Sequence, residues 1–496
     1  MTIGRIGSNR IPNFVPEVQL PLLPLVLDNV PPGLRLALAQ EGIPCQDRTM
    51  GMPEGRFVLF DSRHGLCRWK APGQVVIDVD RLRRAWPKDP FAALMSVRGN
   101  RQQWEFGGMQ FSEVIAQVDK RVLREQVLER LRAEIEQAGG IWLRVAAYPF
   151  PYRSALNFRI DYDEYHPEHF DATLEAVAGN EGCTSHYVNG AAYRSQPDAI
   201  ARLRGLDVGS HGFWHHTYRT FEENLRNLHR GIEVLRAARI EPSGFVAPHG
   251  RFNAELLAAI ERLGITHSSE FALAYDELPF YPGRGRVLQI PIHPVCFEIM
   301  VEALLCQAAD RPTLDRLQPL AVEYFQEVAR TKYRNGDPLF FYGHPTGRKG
   351  PSTEVLRSVL AMAGDFAALW KTTMSGFAAW WQVRSGVHLT VFREGGDFIV
   401  ESDQKAIEYL IGVEYWRGRH VALMPLREQR LRFSPAALAY EVRRGLPDSR
   451  PVRIRQSDGW RAHLKHVIDW ERVTPVEEIV PNNWRNMAKR ALRLLS

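Results

Sequence analysis

Short apolar runs alternate with longer amphipathic stretches through the middle of the chain, from about residue 142 to residue 385. Short apolar runs predict buried strands, and apolar positions that recur every three or four residues predict helices. Strands that alternate with helices favour a parallel sheet curved into a (β/α) barrel, complete or incomplete. The predicted strands are 154–160, 184–188, 207–210, 244–247, 266–269, 287–292 and 339–342, with 369–373 as an eighth.

Three longer amphipathic stretches predict helices. Residues 221–235 carry a stripe of apolar side chains along one face. Residues 320–330 follow Pro319, a residue suited to the first turn of a helix. Residues 111–138 have apolar positions mostly three or four apart, and a Gly-Gly pair follows them. We therefore expect one long helix before the barrel and two within it.

The pattern differs on either side of the barrel. Residues 1–50 are rich in proline and predict an extended arm with one short helix at 34–40. Beyond residue 385, alternating segments around a Gly-Gly turn predict a hairpin and further antiparallel strands. The predicted organisation is an N-terminal α+β region with three short strands (1–141), the barrel (142–385), a C-terminal antiparallel β domain (386–478) and a basic amphipathic helix (479–496).

The predicted terminal helix is basic and amphipathic. Its last sixteen residues, from Pro481, contain four basic and no acidic side chains, and Trp484 begins an apolar stripe along one face. Asn483 can cap its start. A basic helix of this kind can lie on an anionic membrane surface. The alternative is a helix docked on its own domain or on a partner subunit.

Composition narrows the class of protein. A length of 496 residues indicates two or three domains, and a formal charge of +6 without a basic cluster before the C-terminus argues against nucleic-acid binding. Five cysteines without C-x-x-C spacing argue against a disulfide framework. The first residues show no signal peptide, and the run 20–27 is too short to span a bilayer. We expect a cytoplasmic protein. If it associates with a membrane, we expect it to lie on the inner face.

Two acids and two histidines are the strongest chemical signal. Asp161 and Asp163, at and just beyond the end of the first predicted strand, are two apart and so face the same side. His211 and His215 are four apart, the spacing that places two imidazoles on one helical turn, where they can share a metal. An aspartate with two histidines is a three-ligand set that leaves room for water and substrate, as catalytic metal sites do.

These motifs resemble those of the polysaccharide deacetylases, also called the NodB-homology family or carbohydrate esterase family 4. The resemblance covers roughly residues 145–385 and rests on four motifs in the family's order. They are the D-x-D of Asp161 and Asp163, the histidine pair at spacing four, FVAPHG at 245–250 and LFFYGHP at 339–345. The family implies a distorted (β/α)7-type barrel with its site at the carboxyl ends of the strands.

The resemblance also implies a role for each motif residue. By this resemblance Asp161 is the catalytic base, and His344, which ends a late strand, is the general acid. Asp163, His211 and His215 would bind the metal. Zinc suits such mixed nitrogen and oxygen ligands best, with cobalt or iron as alternatives.

The third motif departs from the family in two places. Pro248 and His249 stand where the family lines its substrate groove, with His249 in place of a tyrosine. The role implied there is a backbone N–H that binds the oxyanion, which does not require a particular side chain. Val246 stands where the family has an arginine that holds the catalytic aspartate, and Arg159 or Arg251 is the candidate substitute. One further motif of the family, which the family numbers fourth and which supplies an aspartate and a tryptophan that support the acid histidine, is not located in this sequence.

The predicted function is a metal-dependent hydrolase that removes an acyl group, such as acetyl, from an N-acylated amino sugar in polysaccharide or glycoconjugate biosynthesis. A cytoplasmic substrate would be lipid-linked or nucleotide-linked. One alternative is a hydrolase of another non-peptide C–N bond, such as a formamide or a ureide. Another is a carbohydrate-binding or assembly protein that has lost activity. The sequence leaves the oligomeric state open.

Overall fold

The computed structural model describes most of the chain. The described residues are 20–48, 55–65, 71–96, 99–107, 109–116, 118–270, 278–282, 285–296, 311–345, 353–403, 410–442 and 453–456. The predicted terminal helix at 479–496 lies outside them. No helix within these ranges is long and apolar enough to cross a membrane.

The N-terminal region forms a small parallel sheet, in the order β2-β1-β3-β4. The prediction of an extended arm is therefore wrong for β1, whose apolar side chains are buried between two other strands. The predicted helix at 34–40 is confirmed and begins two residues earlier, with a proline in its first turn. The elements are β1 (Leu25–Asp28), α1 (Pro32–Gln40), β2 (Cys45–Asp47), β3 (Phe57–Phe60), β4 (Val75–Asp78), α2 (Val79–Arg83) and α3 (Pro90–Met95).

A hairpin and a long helix follow. Strands β5 (Gly99–Phe106) and β6 (Met109–Ala116) pair antiparallel over eight residues, and helix α4 (Lys120–Gln137) begins after Asp119, whose side chain caps it. The prediction of a helix from residue 111 is wrong for the first turns. A run such as FSEVIA satisfies both a helical and an alternating period, and pairing with β5 decides for the strand.

The middle of the chain alternates strands and helices as predicted. Strand β7 (Trp142–Val145) comes first and joins another sheet. The elements that follow are β8 (Ser154–Tyr162), α5 (Pro167–Val177), β9 (Thr184–Val188), α6 (Gly190–Tyr193), α7 (Pro197–Ala201), β10 (Val208–Ser210), α8 (Phe221–Ala237), β11 (Gly244–Phe245), α9 (Ala254–Arg262), β12 (His267–Ser268), β13 (Leu288–Gln289), α10 (Arg311–Asn335), β14 (Leu339–Gly343), α11 (Thr353–Ala361), β15 (Leu369–Lys371) and α12 (Met374–Ser385).

These strands form one parallel sheet that curls into a distorted barrel. The order is β13-β12-β11-β10-β9-β8-β14, and β15 pairs with the first residues of β8. The chain after β13 reaches β14 through a hydrogen bond from the His293 N–H to the Phe340 carbonyl. All eight predicted strands are confirmed, several of them shorter than expected. Helix α10 is longer than predicted, and Pro319 lies inside it rather than at its start.

The C-terminal region forms antiparallel sheets, as predicted. One sheet has the order β16-β17-β20, and the other has the order β21-β19-β18-β7, so strand β7 from before the barrel completes it. Strand β22 instead pairs with β5 of the first hairpin. The elements are β16 (Leu389–Glu394), β17 (Asp397–Ser402), β18 (Ile411–Arg417), β19 (His420–Leu426), β20 (Arg430–Phe433), β21 (Glu441–Val442) and β22 (Arg453–Gln456).

Two large apolar cores hold these parts together. One lies between the barrel strands and their surrounding helices, with Phe158, Ile160 and Phe341 among its buried side chains. The other joins the N-terminal sheet, side chains of the barrel strands such as Phe340, α12 and the C-terminal strands, and it contains Trp380 and Trp381, both almost fully buried. The flanking regions therefore share a core with each other and with the barrel strands.

Candidate metal centre

The predicted site residues come from the carboxyl ends of four strands. Asp163 directly follows β8, His211 directly follows β10, and His344 directly follows β14. His249 lies in the short turn after β11. Because β8, β10, β11 and β14 run parallel in one sheet, these positions lie at the same end of the barrel.

Asp163 lies beside two histidines of one segment that is distant in sequence. Its Oδ1 is 3.1 Å from His211 Nε2, and its Oδ2 is 3.2 Å from His215 Nε2. One ligand atom from each residue lies within 4.8 Å of the others. The three predicted metal ligands therefore meet, although about fifty residues separate the acid from the histidines.

The hydrogen bonding of His211 tests whether a cation fits. Its Nδ1 is 2.8 Å from the Val246 carbonyl oxygen, which can only accept, so Nδ1 carries the proton. In the neutral ring Nε2 then presents a lone pair to Asp163 Oδ1, a buried oxygen that accepts no hydrogen bond from the described residues. Two acceptors facing each other at 3.1 Å fit a shared cation. The Val246 carbonyl also orients the ring, as partners of metal-binding histidines do.

The histidine pair does not lie on a helix, so that part of the prediction is wrong. Residues 211–219 form an irregular loop between β10 and α8, and Gly212 adopts a left-handed conformation with φ +75°. Asn227 of α8 holds the loop, because its Oδ1 accepts from the N–H groups of Phe213 and Trp214 at 2.9 and 2.7 Å. This clamp produces the closeness that a helical turn was expected to provide, with ring centroids 5.0 Å apart.

Asp161 is buried beside an arginine. It is 2% exposed, and its Oδ2 accepts a hydrogen bond of 2.7 Å from Arg159 Nη2. Arg159 is fixed in turn by the Ser269 carbonyl at 2.9 Å and by the ring of Tyr342. Arg159, one of the two candidate substitutes for the absent arginine, thus contacts Asp161. The other carboxylate oxygen, Oδ1, has no hydrogen-bond partner in the described ranges.

His344 also faces the cluster. Its Nε2 is 3.6 Å from Asp163 Oδ2, so the late-strand histidine lies at the same centre as the predicted ligands. Burial alone would raise the pKa of Asp163, but the rings of His215 and His344 outweigh it and hold that pKa well below its ordinary value. Asp163 is therefore ionised and ready to act as a ligand.

The turn after β11 places His249 over the pair. Its ring centroid is 4.7 Å from that of His215, and its backbone φ is +60°. Pro248 is buried beside it. A left-handed residue in a turn between a strand and a helix directs its N–H differently from its neighbours, which suits the predicted role of that N–H.

Sequence reasoning missed two residues that support this centre. Glu270 is fully buried just after β12 and accepts hydrogen bonds from the Ala247 N–H and the Ser268 hydroxyl. Asn227 is the clamp described above. Each had a signal in the sequence, since Glu270 is an acid at the end of a predicted strand, and Asn227 interrupts the apolar face of an amphipathic helix.

Comparison with known proteins supports the resemblance. The family model described as "Polysaccharide deacetylase" matches residues 155–268, which include Asp161, Asp163, both clustered histidines and the turn at His249. His344 lies beyond the matched range. The resemblance to polysaccharide deacetylases is thus confirmed for the first five strands of the barrel. No curated protein matches the chain.

The solved structures that match part of this chain are distant from it in sequence. A putative polysaccharide deacetylase from Mycobacterium smegmatis is 18% identical, with 50% of this chain and 96% of that one covered and a TM-score of 0.41. A probable polysaccharide deacetylase from Pseudomonas aeruginosa PAO1 is 14% identical (48% and 94% covered, TM-score 0.40). The Puue allantoinase is 15% identical (48% and 94% covered, TM-score 0.40).

Proposed function

We propose that this protein is a metal-dependent hydrolase that removes an acyl group, such as acetyl, from an N-acylated amino sugar. The observation that carries the proposal is the cluster of Asp163, His211 and His215, whose ligand atoms lie within 4.8 Å of one another beside a second buried acid. A structural ion pair would need neither the second acid nor a third facing histidine.

The three clustered residues would hold the cation, which we expect to be zinc because one carboxylate and two imidazoles suit it. A zinc ion in such a set supplies Lewis acidity, which makes water a better nucleophile and polarises a carbonyl. The Val246 carbonyl fixes the His211 tautomer and so keeps Nε2 free for the ion.

The remaining side chains can move the protons of an amide hydrolysis. Asp161, held by Arg159, would accept the proton of the attacking water. The N–H of His249 would donate to the oxyanion, assisted by the buried Pro248 that shapes the turn. His344 would protonate the departing nitrogen, because an amine leaves only when it has gained a proton.

The test pairs elemental analysis with acetate release from a panel of N-acetylated amino sugars, free, nucleotide-linked and lipid-linked. We expect about one equivalent of zinc and turnover on at least one substrate. We expect His344→Ala and Asp161→Asn to lose roughly 10²- to 10⁴-fold in turnover while retaining metal, since both residues handle protons. His388→Ala, at an exposed histidine after the barrel, is the matched control.

Three outcomes would contradict the proposal. Near-normal turnover in His344→Ala would remove the acid assignment. Hydrolysis of a formamide or a ureide without release of acetate would favour the alternative C–N hydrolase. Full metal occupancy with no hydrolysis of any N-acyl compound would favour a binding protein without activity.

A further inference from the structure

A cleft of about 420 Å³ lies far from the metal centre. It opens where α4, β7, β18 and the segment before β14 meet. Asp337, which lines it, precedes β14, whereas His344 follows that strand. The five residues of β14 separate the two places by roughly 17 Å at 3.3 Å per residue. The cleft thus lies at the opposite end of the barrel and is a separate site.

Arginines dominate the lining of this cleft, which we call the arginine cleft. Helix α4 contributes three, strand β7 one, the end of α10 one, α12 one and the turn before β19 one. They are Arg121, Arg124, Arg132, Arg144, Arg334, Arg384 and Arg419. The lining contains five carboxylates, so its side chains carry an excess of two positive charges.

All five carboxylates are already bound to arginine. Glu41 bonds to Arg124 and Arg144, and Glu414 lies 2.6 Å from Arg144. Glu125 and Asp337 both bond to Arg121, at 2.9 and 2.8 Å, and Glu129 lies 3.8 Å from Arg132. Two acids outside the lining add to this neutralisation, because Glu136 lies 4.0 Å from Arg132 and Glu327 lies 3.4 Å from Arg334.

Two of the arginines have no carboxylate within ion-pair distance in the described parts of the chain. Arg384 is 3% exposed, and its guanidinium bonds only to backbone carbonyls, those of Ala39, Gln40, Val145 and Ala146. Arg419 is exposed at the mouth of the cleft. Burial lowers the pKa of Arg384 to about 10, although the charges of Glu41 and Glu414 act in the opposite direction.

A third arginine has unused hydrogen-bonding capacity. Arg121 is 7% exposed and bonds to Asp337 and Glu125 through Nε and Nη2. Its Nη1 is buried and has no hydrogen-bond partner among the described residues. A buried donor without an acceptor costs free energy, and an acceptor brought by a ligand would remove that cost.

We propose that the arginine cleft binds a small molecule that carries at least two acidic groups, phosphate or carboxylate. Guanidinium groups pair with both through two parallel hydrogen bonds, and the cleft has the volume of an ordinary small-molecule site. The ligand would bridge α4, the barrel and the C-terminal sheet, so it would stabilise their packing. This site is independent of the proposed hydrolase activity.

The test is calorimetric titration of the metal-loaded full chain with pyrophosphate and, separately, with citrate, at fixed ionic strength. We expect at least one of them to bind, and the binding to weaken as salt rises. Pyrophosphate alone would identify a phosphate ligand, and citrate alone a carboxylate ligand. Arg419→Gln and Arg334→Gln, both at exposed positions, should each weaken binding by about fivefold or more.

Two controls separate this site from other charges. Arg427→Gln removes an exposed arginine at the other end of β19 and should leave the affinity unchanged. Because pyrophosphate and citrate can also bind a metal, His215→Ala must retain the interaction. Loss of binding in His215→Ala with retention in Arg419→Gln would overturn the proposal, as would no binding of either probe.

Discussion

The position of the buried ion pair inside the barrel depends on a few individual residues. Arg159 and Asp161 are two apart on β8, so their side chains share the interior face and can pair without help from another strand. This spacing was visible in the sequence. The depth at which the pair lies was not visible, since it depends on Ser269 and Tyr342 from strands more than a hundred residues away.

Glu270 leads to a prediction about stability and pH. Burial raises the pKa of Glu270 to about 7 from an ordinary 4.5, despite hydrogen bonds from Ser268 and Ala247 that act in the opposite direction. The folded state thus holds this proton more tightly than the unfolded state. The stabilisation is complete below about pH 4.5 and is lost as pH rises through 7, which amounts to roughly 3 kcal/mol in all.

We therefore expect Glu270→Gln, which cannot ionise, to gain stability relative to the wild type by up to roughly 3 kcal/mol between pH 5 and pH 8. Denaturant unfolding at both pH values measures this. Glu255→Gln, at an exposed position on α9, is the control. A difference between Glu270→Gln and wild type that does not change with pH would contradict the assignment.

At the scale of elements, the sequence predicted those strands and helices that are determined by a local pattern of apolar residues. The barrel strands and α8 were found because their apolar patterns are short-range. The irregular loop at 211–219 was not predicted, because its shape depends on the left-handed Gly212 and on a hydrogen bond to Asn227, which lies fourteen residues after Phe213. The hairpin β5-β6 was missed for the same reason, since a strand partner rather than the local pattern selects its conformation.

The clamp between α8 and this loop yields the second prediction. Asn227→Ala removes the side-chain acceptor that the N–H groups of Phe213 and Trp214 share, and only the Phe213 N–H keeps a second acceptor, the Asn227 backbone carbonyl at 3.1 Å. The loop should therefore lose its fixed shape. Because His215 is carried by the loop, we expect zinc affinity to fall about 10- to 100-fold, as for other supports of metal ligands. Competition with a zinc-binding dye measures this.

A matched change on the same helix provides the control. Glu222→Gln, at an exposed position in the first turn of α8, should leave zinc affinity unchanged. Equal affinities in Asn227→Ala and wild type would show that the loop holds its shape without the clamp.

At the scale of the whole molecule, the flanking regions are joined to each other around the barrel. Strand β7 precedes the barrel in sequence but pairs with β18 of the C-terminal sheet, from Trp142 opposite Trp416 to Val145 opposite Val413. Local patterns could predict both strands but not their pairing. The separation between the predicted barrel and the C-terminal β domain is accordingly less sharp in space than in sequence.

This pairing predicts that the C-terminal sheet cannot be removed. A chain ending at Ser385 would expose the buried side chains of Trp142 and Leu143, so we expect it to be insoluble or to lack a cooperative transition. A chain ending at Gln456 retains every described strand and is the control. Thermal unfolding and solubility measure the difference, and a stable, soluble chain ending at Ser385 would contradict the prediction.

The same pairing has a consequence for biosynthesis. Arg144 and its partner Glu414 are separated by 270 residues, so at 5 to 20 residues per second a ribosome needs about 15 to 55 s to deliver the second strand after the first. Throughout that interval the nascent β7 has an open edge and an uncovered tryptophan. We therefore expect this chain to need chaperones during translation, in the interval when the barrel has left the ribosome but strand β18, the partner of β7, has not.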